Sequence, residues 1–251
     1  MPTVAGQALT EGHQAAQATV AARVVREQLA LWQLLDLDDV DAGVDAWLAA
    51  SRLSVQARHA ESAALGASYY RSFAQAETGR FRELPTIGRP LDVDRLTVNL
   101  GLAGPVRFKA LVGAGYPLEH ASRTAAAGAA GTAWRFALDG GRDEIIGQVR
   151  RDPVALGWYR QGGPDPCAFC RMLISLGPHY KTERSADFQP HDNCGCTAVP
   201  FYDRKDSWSD QALENRAMWD RAQREAREAG ELDRGTAHDD INAFRRFLAK
   251  S

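Results

Sequence analysis

The sequence predicts a mainly α protein with a small β element: a helical N-terminal part, an α+β C-terminal lobe with a Cys/His loop, and C-terminal helices. Three observations support this prediction. Apolar residues recur at three- and four-residue steps over most of the chain. Only two short segments, 154–160 and 197–202, are rich in β-favouring side chains and flank the Cys/His loop. All four cysteines lie within a window of 30 residues.

Composition limits the class of protein. The chain has 251 residues, of which 45% are hydrophobic, as in a folded protein of one large or two modest domains. A formal charge of −2 and a pI near 6.3 give no overall attraction to nucleic acid. The sequence has no apolar run of membrane-spanning length, and residues 1–17 lack the pattern of an export signal. We therefore expect no membrane association and synthesis in a reducing compartment.

The N-terminal part is predicted to be an antiparallel helical unit. The expected helices cover residues 5–37, a second segment that contains Val44, Trp47 and Leu48, and residues 53–77. Carboxylates of Asp38, Asp39 and Asp41 are placed to cap the second segment. The third helix is expected to end near Gly79.

Prolines and glycines are expected to interrupt regular structure between residues 78 and 115. The residues concerned are Pro85, Pro90, Pro105, Gly88, Gly101, Gly104 and Gly113. A further helix is predicted over residues 122–138 and is expected to end at Gly140 and Gly141. Within it, Gly128 and Gly131 either permit close approach of another helix or weaken the helix itself.

The C-terminal part is predicted to contain two antiparallel strands, at 154–160 and 197–202, which hold the base of the Cys/His loop. Two helices follow, over 207–229 and around residues 241–248. Between residues 204 and 250 ten basic side chains are matched by ten acidic ones, which is typical of solvated helices. The chain is thus divided into a helical unit (1–78), a connecting region (79–121), the Cys/His lobe (122–206) and charged helices (207–251).

The Cys/His loop contains five potential metal ligands. They are Cys167 and Cys170, then, after twenty residues, His191, Cys194 and Cys196. Thiolate and imidazole are the ligands that zinc prefers, and a tetrahedral ion needs only four of the five. We favour Cys167, Cys170 and Cys196, with His191 or Cys194 completing the set. Four protein ligands leave no coordination position for water, so the predicted zinc is structural.

Two other uses of the cysteines compete with metal binding. Disulfides could join Cys167 or Cys170 to Cys194 or Cys196 in oxidising surroundings. Redox chemistry by the C-x-x-C pair is the less favoured alternative, because the expected strand-to-helix context is weak. His179 lies inside the loop and is a further candidate ligand.

The segment 163–200 resembles the C-terminal signature of the MuF-like minor head proteins of tailed bacteriophages. In that signature an acidic residue precedes C-x-x-C, and a glycine, a variable loop, H-x-x-C-x-C and a proline follow. The matching residues here are Asp165, Cys167, Cys170, Gly177, His191, Cys194, Cys196 and Pro200. Family members commonly have a proline after the histidine and an arginine between the last two cysteines, where this chain has Asp192 and Gly195.

The resemblance implies a structural protein of the phage head, placed in the capsid interior near the portal vertex. Its implied partners are the portal protein, the major capsid protein and the scaffold, with packaged phage DNA as a further contact. Assembly would take place in the host cytoplasm. A weaker hypothesis is that the protein is a free zinc-dependent nucleic-acid binder.

Similar actinobacteriophage proteins are often labelled capsid maturation proteases, which gives a hypothesis from a different class. The sequence contains neither a G-x-S-x-G motif nor an H-E-x-x-H motif. A cysteine peptidase that uses Cys167 or Cys170 with His191 would leave the other potential ligands without a role. We therefore favour the structural function and name no catalytic residue.

Overall fold

The computed structural model describes residues 2–81, 85, 89–178, 188, 190–203, 208–232 and 238–250. The predicted fold class is confirmed, because helices dominate this part of the chain and two strands form a small sheet. The helices are α1 (Val4–Trp32), α2 (Val40–Thr78), α3 (Val93–Gly101), α4 (Arg107–Gly113), α5 (Leu118–Arg151), α6 (Ala168–Ile174), α7 (Asp210–Glu228) and α8 (Asp239–Leu248). The strands are β1 (Gly157–Gln161) and β2 (Thr197–Phe201), and a π-helical turn (Leu102–Val106) joins α3 to α4.

Three long helices, α1, α2 and α5, form the body of the protein, and each packs against the other two. At one end of this body Trp32 contacts Trp47 and Phe108 edge to face, with ring centroids 5.6 and 6.3 Å apart. Asp39 caps α2 by accepting a hydrogen bond from the Ala42 amide at 3.4 Å. A second apolar cluster joins the far part of α2 and α5 to the sheet. Its larger members are Tyr69, Tyr70, Phe73, Ile145, Trp158, Val199 and Phe201.

The predicted pair of antiparallel strands is confirmed. Gly157 faces Phe201 across the ladder, and Gln161 faces Thr197. This register brings the chain that enters the Cys/His loop next to the chain that leaves it. Cys196, which directly precedes β2, and the segment that leads from β1 to Cys167 therefore start at the same end of the sheet.

Several predicted helix boundaries are wrong. Helix α1 ends at Trp32 and not at residue 37. The second and third predicted helices form one continuous helix, α2, because residues 49–52 contain no glycine or proline that would end it. Helix α5 continues past Gly140 and Gly141 to Arg151. These two glycines do not end the helix. They lie where the backbones of α5 and α2 meet.

The α2–α5 contact explains the glycines. A Cβ atom at Gly140 would lie 2.2 Å from the carbonyl oxygen of His59, and one at Gly141 would lie 2.8 Å from that of Ser62. A Cβ atom at Gly66 of α2 would likewise lie 2.7 Å from the carbonyl oxygen of Gly141. The two helices thus approach closely enough to exclude any side chain at the crossing.

The predicted interruption of regular structure between residues 78 and 115 is wrong for residues 93–113. There α3, the π turn and α4 follow one another, and Pro105 lies inside the π turn. A proline has no amide hydrogen to donate, and a π turn accommodates this locally. Gly128 faces this segment: its Cβ would lie 2.9 Å from the Ala103 carbonyl oxygen, so the close-approach interpretation of Gly128 is correct.

The four-part division of the chain stays a prediction. Helix α5 begins at Leu118 and so includes the predicted boundary between residues 121 and 122.

Candidate metal centre

The five predicted ligands come together at the end of the sheet. Cys167 immediately precedes α6, Cys170 lies in its first turn, and His191, Cys194 and Cys196 lie on the segment that leads into β2. The His191 Nε2 atom is 3.1 Å from the Sγ atoms of both Cys167 and Cys170. The Sγ atoms of Cys170 and Cys194 are 3.7 Å apart. We call these five residues the Cys/His cluster.

The donor atoms form two overlapping groups that share Cys170. Cys167, Cys170 and His191 make up one group, and Cys170, Cys194 and Cys196 the other; within each, the atoms lie within 4.8 Å of one another. Two sulfurs bound at about 2.3 Å to one tetrahedral ion are separated by about 3.8 Å. The observed separation of Cys170 and Cys194 has this value, and the Cys/His groups can therefore hold a metal ion.

The orientation of His191 fits a role as a ligand. Its Nδ1 atom lies 2.6 Å from the Asp192 carbonyl oxygen, which can only accept a hydrogen bond. The proton is therefore on Nδ1, and the lone pair of Nε2 points at the sulfurs. A metal-binding histidine is usually fixed by this kind of contact through its other nitrogen.

All four cysteines are free thiols in the structure. The separation of 3.7 Å between the Cys170 and Cys194 sulfurs exceeds the disulfide bond length of about 2.05 Å. Cys167 is exposed, whereas Cys170, Cys194 and Cys196 are buried. The geometry thus favours metal binding over the disulfide alternative. His179, the additional ligand candidate, lies outside the described residues.

Two buried arginines supply positive charge next to the sulfurs. Arg142 of α5 donates from Nε to the Cys196 carbonyl at 3.1 Å and from a terminal nitrogen to the Cys194 carbonyl. Arg160 of β1 places a terminal nitrogen 3.9 Å from the Cys194 sulfur. Both are almost fully buried, and both guanidinium groups lie over the Phe188 ring. They offset the negative charge that bound thiolates would bring into this interior.

The same surroundings favour the thiolate form of Cys194. Its pKa lies well below its usual range, because the thiols of Cys170 and Cys196 hydrogen-bond to its sulfur. The Arg142 guanidinium lowers this pKa further. A deprotonated sulfur is the form that binds a metal.

Helix α5 fixes the turn that carries the second half of the motif. The Trp134 indole donates to the Cys194 carbonyl at 3.2 Å, and Arg135 pairs with Asp192 at 3.0 Å. Asn193 has a positive φ of 61° and lies against Gly131, where a Cβ would be 2.8 Å from its Nδ2 atom. Gly131 thus permits a close approach, but by this turn and not by another helix.

Asp192 and Gly195, the two departures from the MuF-like pattern, both fit the structure. Asp192 forms an ion pair with Arg135 and accepts a hydrogen bond at 3.2 Å from the Thr132 hydroxyl, so its carboxylate ties the turn to α5. Gly195 has open space where a Cβ would stand. The positive charges near the last two cysteines come instead from Arg142 and Arg160.

Gly177, the glycine of the motif, has both a conformational and a steric reason to be a glycine. Its φ is +59°, and a Cβ there would lie 2.6 Å from the Trp208 ring. Gly177→Ala is expected to lower the free energy of unfolding by about 1–3 kcal/mol. Thermal unfolding followed by circular dichroism measures this change. Gly163→Ala is the matched control, because a Cβ at Gly163 meets nothing within 4 Å, and equal losses for both variants would contradict the explanation.

Comparison with known proteins places the chain in a family. The family model described as VG15 protein matches residues 5–222, which include the complete Cys/His cluster. The chain belongs to the VG15 protein family. No solved structure matches it.

Two relatives of this VG15 protein are encoded by mycobacteriophages, and each is named Gene 15 protein. The protein of Mycobacterium phage D29 is 30% identical over an alignment that covers 43% of this chain and 54% of that protein. The protein of Mycobacterium phage L5 is 28% identical, over 78% of this chain and 80% of that protein. The VG15 protein described here is therefore phage-encoded. Along the described residues, none of the helices combines the length and apolar character that crossing a membrane requires.

Sequence reasoning found the cluster but missed the residues that support it. The sequence does not mark Arg142 as a residue that supports the cluster, because it follows two glycines that are expected to end the helix. Arg160 lay on a predicted strand, and its inward direction depends on strand pairing. The sequence marks Trp134 only as one position of the helix predicted over residues 122–138.

Proposed function

We propose that this VG15 protein is a minor capsid protein of the MuF type, with a structural role in head morphogenesis of a tailed phage. The observation that carries the proposal is the collection of all five motif residues at the end of one hairpin, in the order that the MuF-like signature has. The mycobacteriophage relatives support a phage origin. The portal vertex, with portal, major capsid and scaffold proteins as partners and packaged DNA nearby, is the proposed location.

The proposed cofactor is one structural zinc ion bound by Cys167, Cys170, His191 and Cys194. The first three are supported by the contacts of 3.1 Å at His191, and Cys194 by its separation of 3.7 Å from Cys170. The sequence favours Cys167, Cys170 and Cys196, with His191 or Cys194 as the fourth ligand, so the proposed set has Cys194 in place of Cys196. Bound zinc would draw the α6 end and the β2 end of the loop together. The charge-balanced helices α7 and α8 would then be held against the same lobe, since α7 packs on α6.

A capsid maturation peptidase is the second candidate function, because one contact resembles a catalytic pair. The exposed Cys167 sulfur lies 3.1 Å from His191 Nε2, and the Asp192 carbonyl orients that imidazole. Both residues also line a cavity of about 630 Å³ between α1 and the Cys/His cluster, which could admit a peptide. The chemistry of a Cys–His pair needs neither Cys194 nor Cys196.

Cys194→Ser and Cys196→Ser separate the two functions. For a structural zinc site, Cys194→Ser is expected to lose zinc by elemental analysis, while Cys196→Ser retains about one ion per chain. For a peptidase, Cys194→Ser should still cleave co-expressed capsid and scaffold proteins, and Cys167→Ala should not. Intact capsid and scaffold chains with the wild-type protein would count against the peptidase.

The location is tested by cryo-electron microscopy of heads from the phage that encodes the chain. The proposal expects density for this fold at the portal vertex, and co-purification of the chain with the portal protein. Absence of this chain from both mature and immature heads would contradict the proposal.

A further inference from the structure

The segment from α3 to α4 is apolar on two opposite faces. Leu96, Leu100 and Phe108 are buried against the body of the protein. On the opposite face, Val98, Leu102 and Val106 are 60%, 57% and 48% exposed. Ala110 continues the exposed row, and we call these four residues the apolar stripe.

The π turn keeps the apolar stripe straight. In an α-helix of 3.6 residues per turn, side chains four residues apart drift slowly around the axis. Four residues make slightly more than one turn of an α-helix but less than one turn of a π-helix, because a π turn contains more residues. The drift over four residues therefore has the opposite direction in a π turn. Because the π turn Leu102–Val106 lies in the middle of the stripe, it counteracts the drift of α3 and α4.

An ordinary surface helix has polar side chains opposite its buried face. A helix that is apolar on both faces is typical of a buried helix. Contiguous exposed apolar side chains also mark interaction sites more often than isolated ones do. The apolar stripe therefore has the character of a surface that a partner covers.

The charges around the stripe are arranged head to tail. Asp92 and Asp94 stand at its beginning, and Arg107 and Lys109 at its end; all four are exposed. Arg95, the basic residue near the beginning, directs its guanidinium to the Phe136 ring of α5, 5.9 Å away. Lys109 pairs with Asp41 across an exposed contact of 2.7 Å. With exposed Arg95 and with Asp41 taken into account, one end of the stripe still has an excess of acidic charge and the other an excess of basic charge.

We infer that a second copy of this chain covers the apolar stripe, with the two stripes antiparallel about a two-fold axis near Leu102. This arrangement places Asp94 of each copy beside the Arg107 end of the other, so each opposite-charge contact occurs twice. A parallel arrangement would place acid beside acid and base beside base.

Sedimentation equilibrium of the full chain tests the dimer. The wild-type protein is expected to show a concentration-dependent dimer, and Leu102→Glu to weaken it by at least about 100-fold, because a charge would be buried in the apolar contact. Val4→Glu is the matched control. Val4 is 88% exposed and is the first residue of α1. The residue of α1 that contacts the α3–α4 segment is Trp32, 28 residues later at the opposite end of the helix, so Val4 is far from the apolar stripe. Circular dichroism checks that all variants are folded.

A charge exchange tests the antiparallel arrangement. Asp94→Arg and Arg107→Asp are each expected to weaken the dimer about tenfold, and both substitutions in one chain to restore it. A wild-type chain that is monomeric at every concentration would overturn the inference and leave the stripe for a different protein. A dimer that persists in Leu102→Glu would overturn it as well.

Discussion

Cys170→Ser is expected to release the metal and to unfold the C-terminal lobe. Cys170 is the one residue that belongs to both donor groups of the cluster, and its side chain is 2% exposed. Structural zinc contributes on the order of 10 kcal/mol to the folding of small zinc modules. We expect the free energy of unfolding to fall by at least about 3 kcal/mol, with the loss concentrated between residues 154 and 202. Hydrogen exchange measures which amides lose protection.

Chelation provides the control for this variant. Removal of zinc from the wild-type protein should reproduce the loss in hydrogen-exchange protection, because both changes remove the same ion. The same chelator should have no further effect on Cys170→Ser. A variant that keeps its zinc, or a wild-type lobe that stays protected after chelation, would contradict the assignment. The hydroxyl of serine is nearly isosteric with the thiol, so packing alone predicts only a small loss.

Gly140→Ala is expected to separate α2 from α5 and to destabilise the body of the protein. A Cβ there would lie 2.2 Å from the backbone carbonyl oxygen of His59, which cannot move without its helix. We expect a loss of about 3 kcal/mol in the free energy of unfolding, at the upper end of the cost of overpacking. Thermal or urea unfolding measures it.

Gly12→Ala is the matched control, because Gly12 lies on the exposed side of α1 and a Cβ there meets nothing within 4 Å. It should stabilise the protein by about 0.5–1 kcal/mol, as alanine usually does within a helix. A neutral Gly140→Ala would mean that the two backbones do not meet at this position.

A comparison of Gly79 with Gly140 shows where sequence reasoning has its limit. A glycine inside an alanine-rich segment has the same local signature whether it ends a helix or admits a neighbouring helix. Gly79, with a φ of 68° after α2, ends a helix as predicted. Gly140 does not, because its environment is set by α2, some 80 residues earlier in the chain. Only the tertiary contact distinguishes them.

The cluster was predictable to a greater extent than its surroundings. Soft ligands grouped at short spacing are a local signal, and so are two β-favouring segments around them. Pairing of the two strands then brings the start and the end of the Cys/His loop to the same end of the sheet. The choice among five ligands, and the two arginines behind them, depend on side-chain directions set by α5 and β1. Spacing along the chain carries no information on those directions.

The most direct test of the account is X-ray absorption spectroscopy at the zinc edge, combined with elemental analysis, on the purified and reduced protein. The account predicts about one zinc per chain, with three sulfur neighbours at about 2.3 Å and one nitrogen at about 2.0–2.1 Å. Reduced, folded protein that contains no zinc, or a zinc ion with oxygen neighbours in place of the sulfurs, would contradict it.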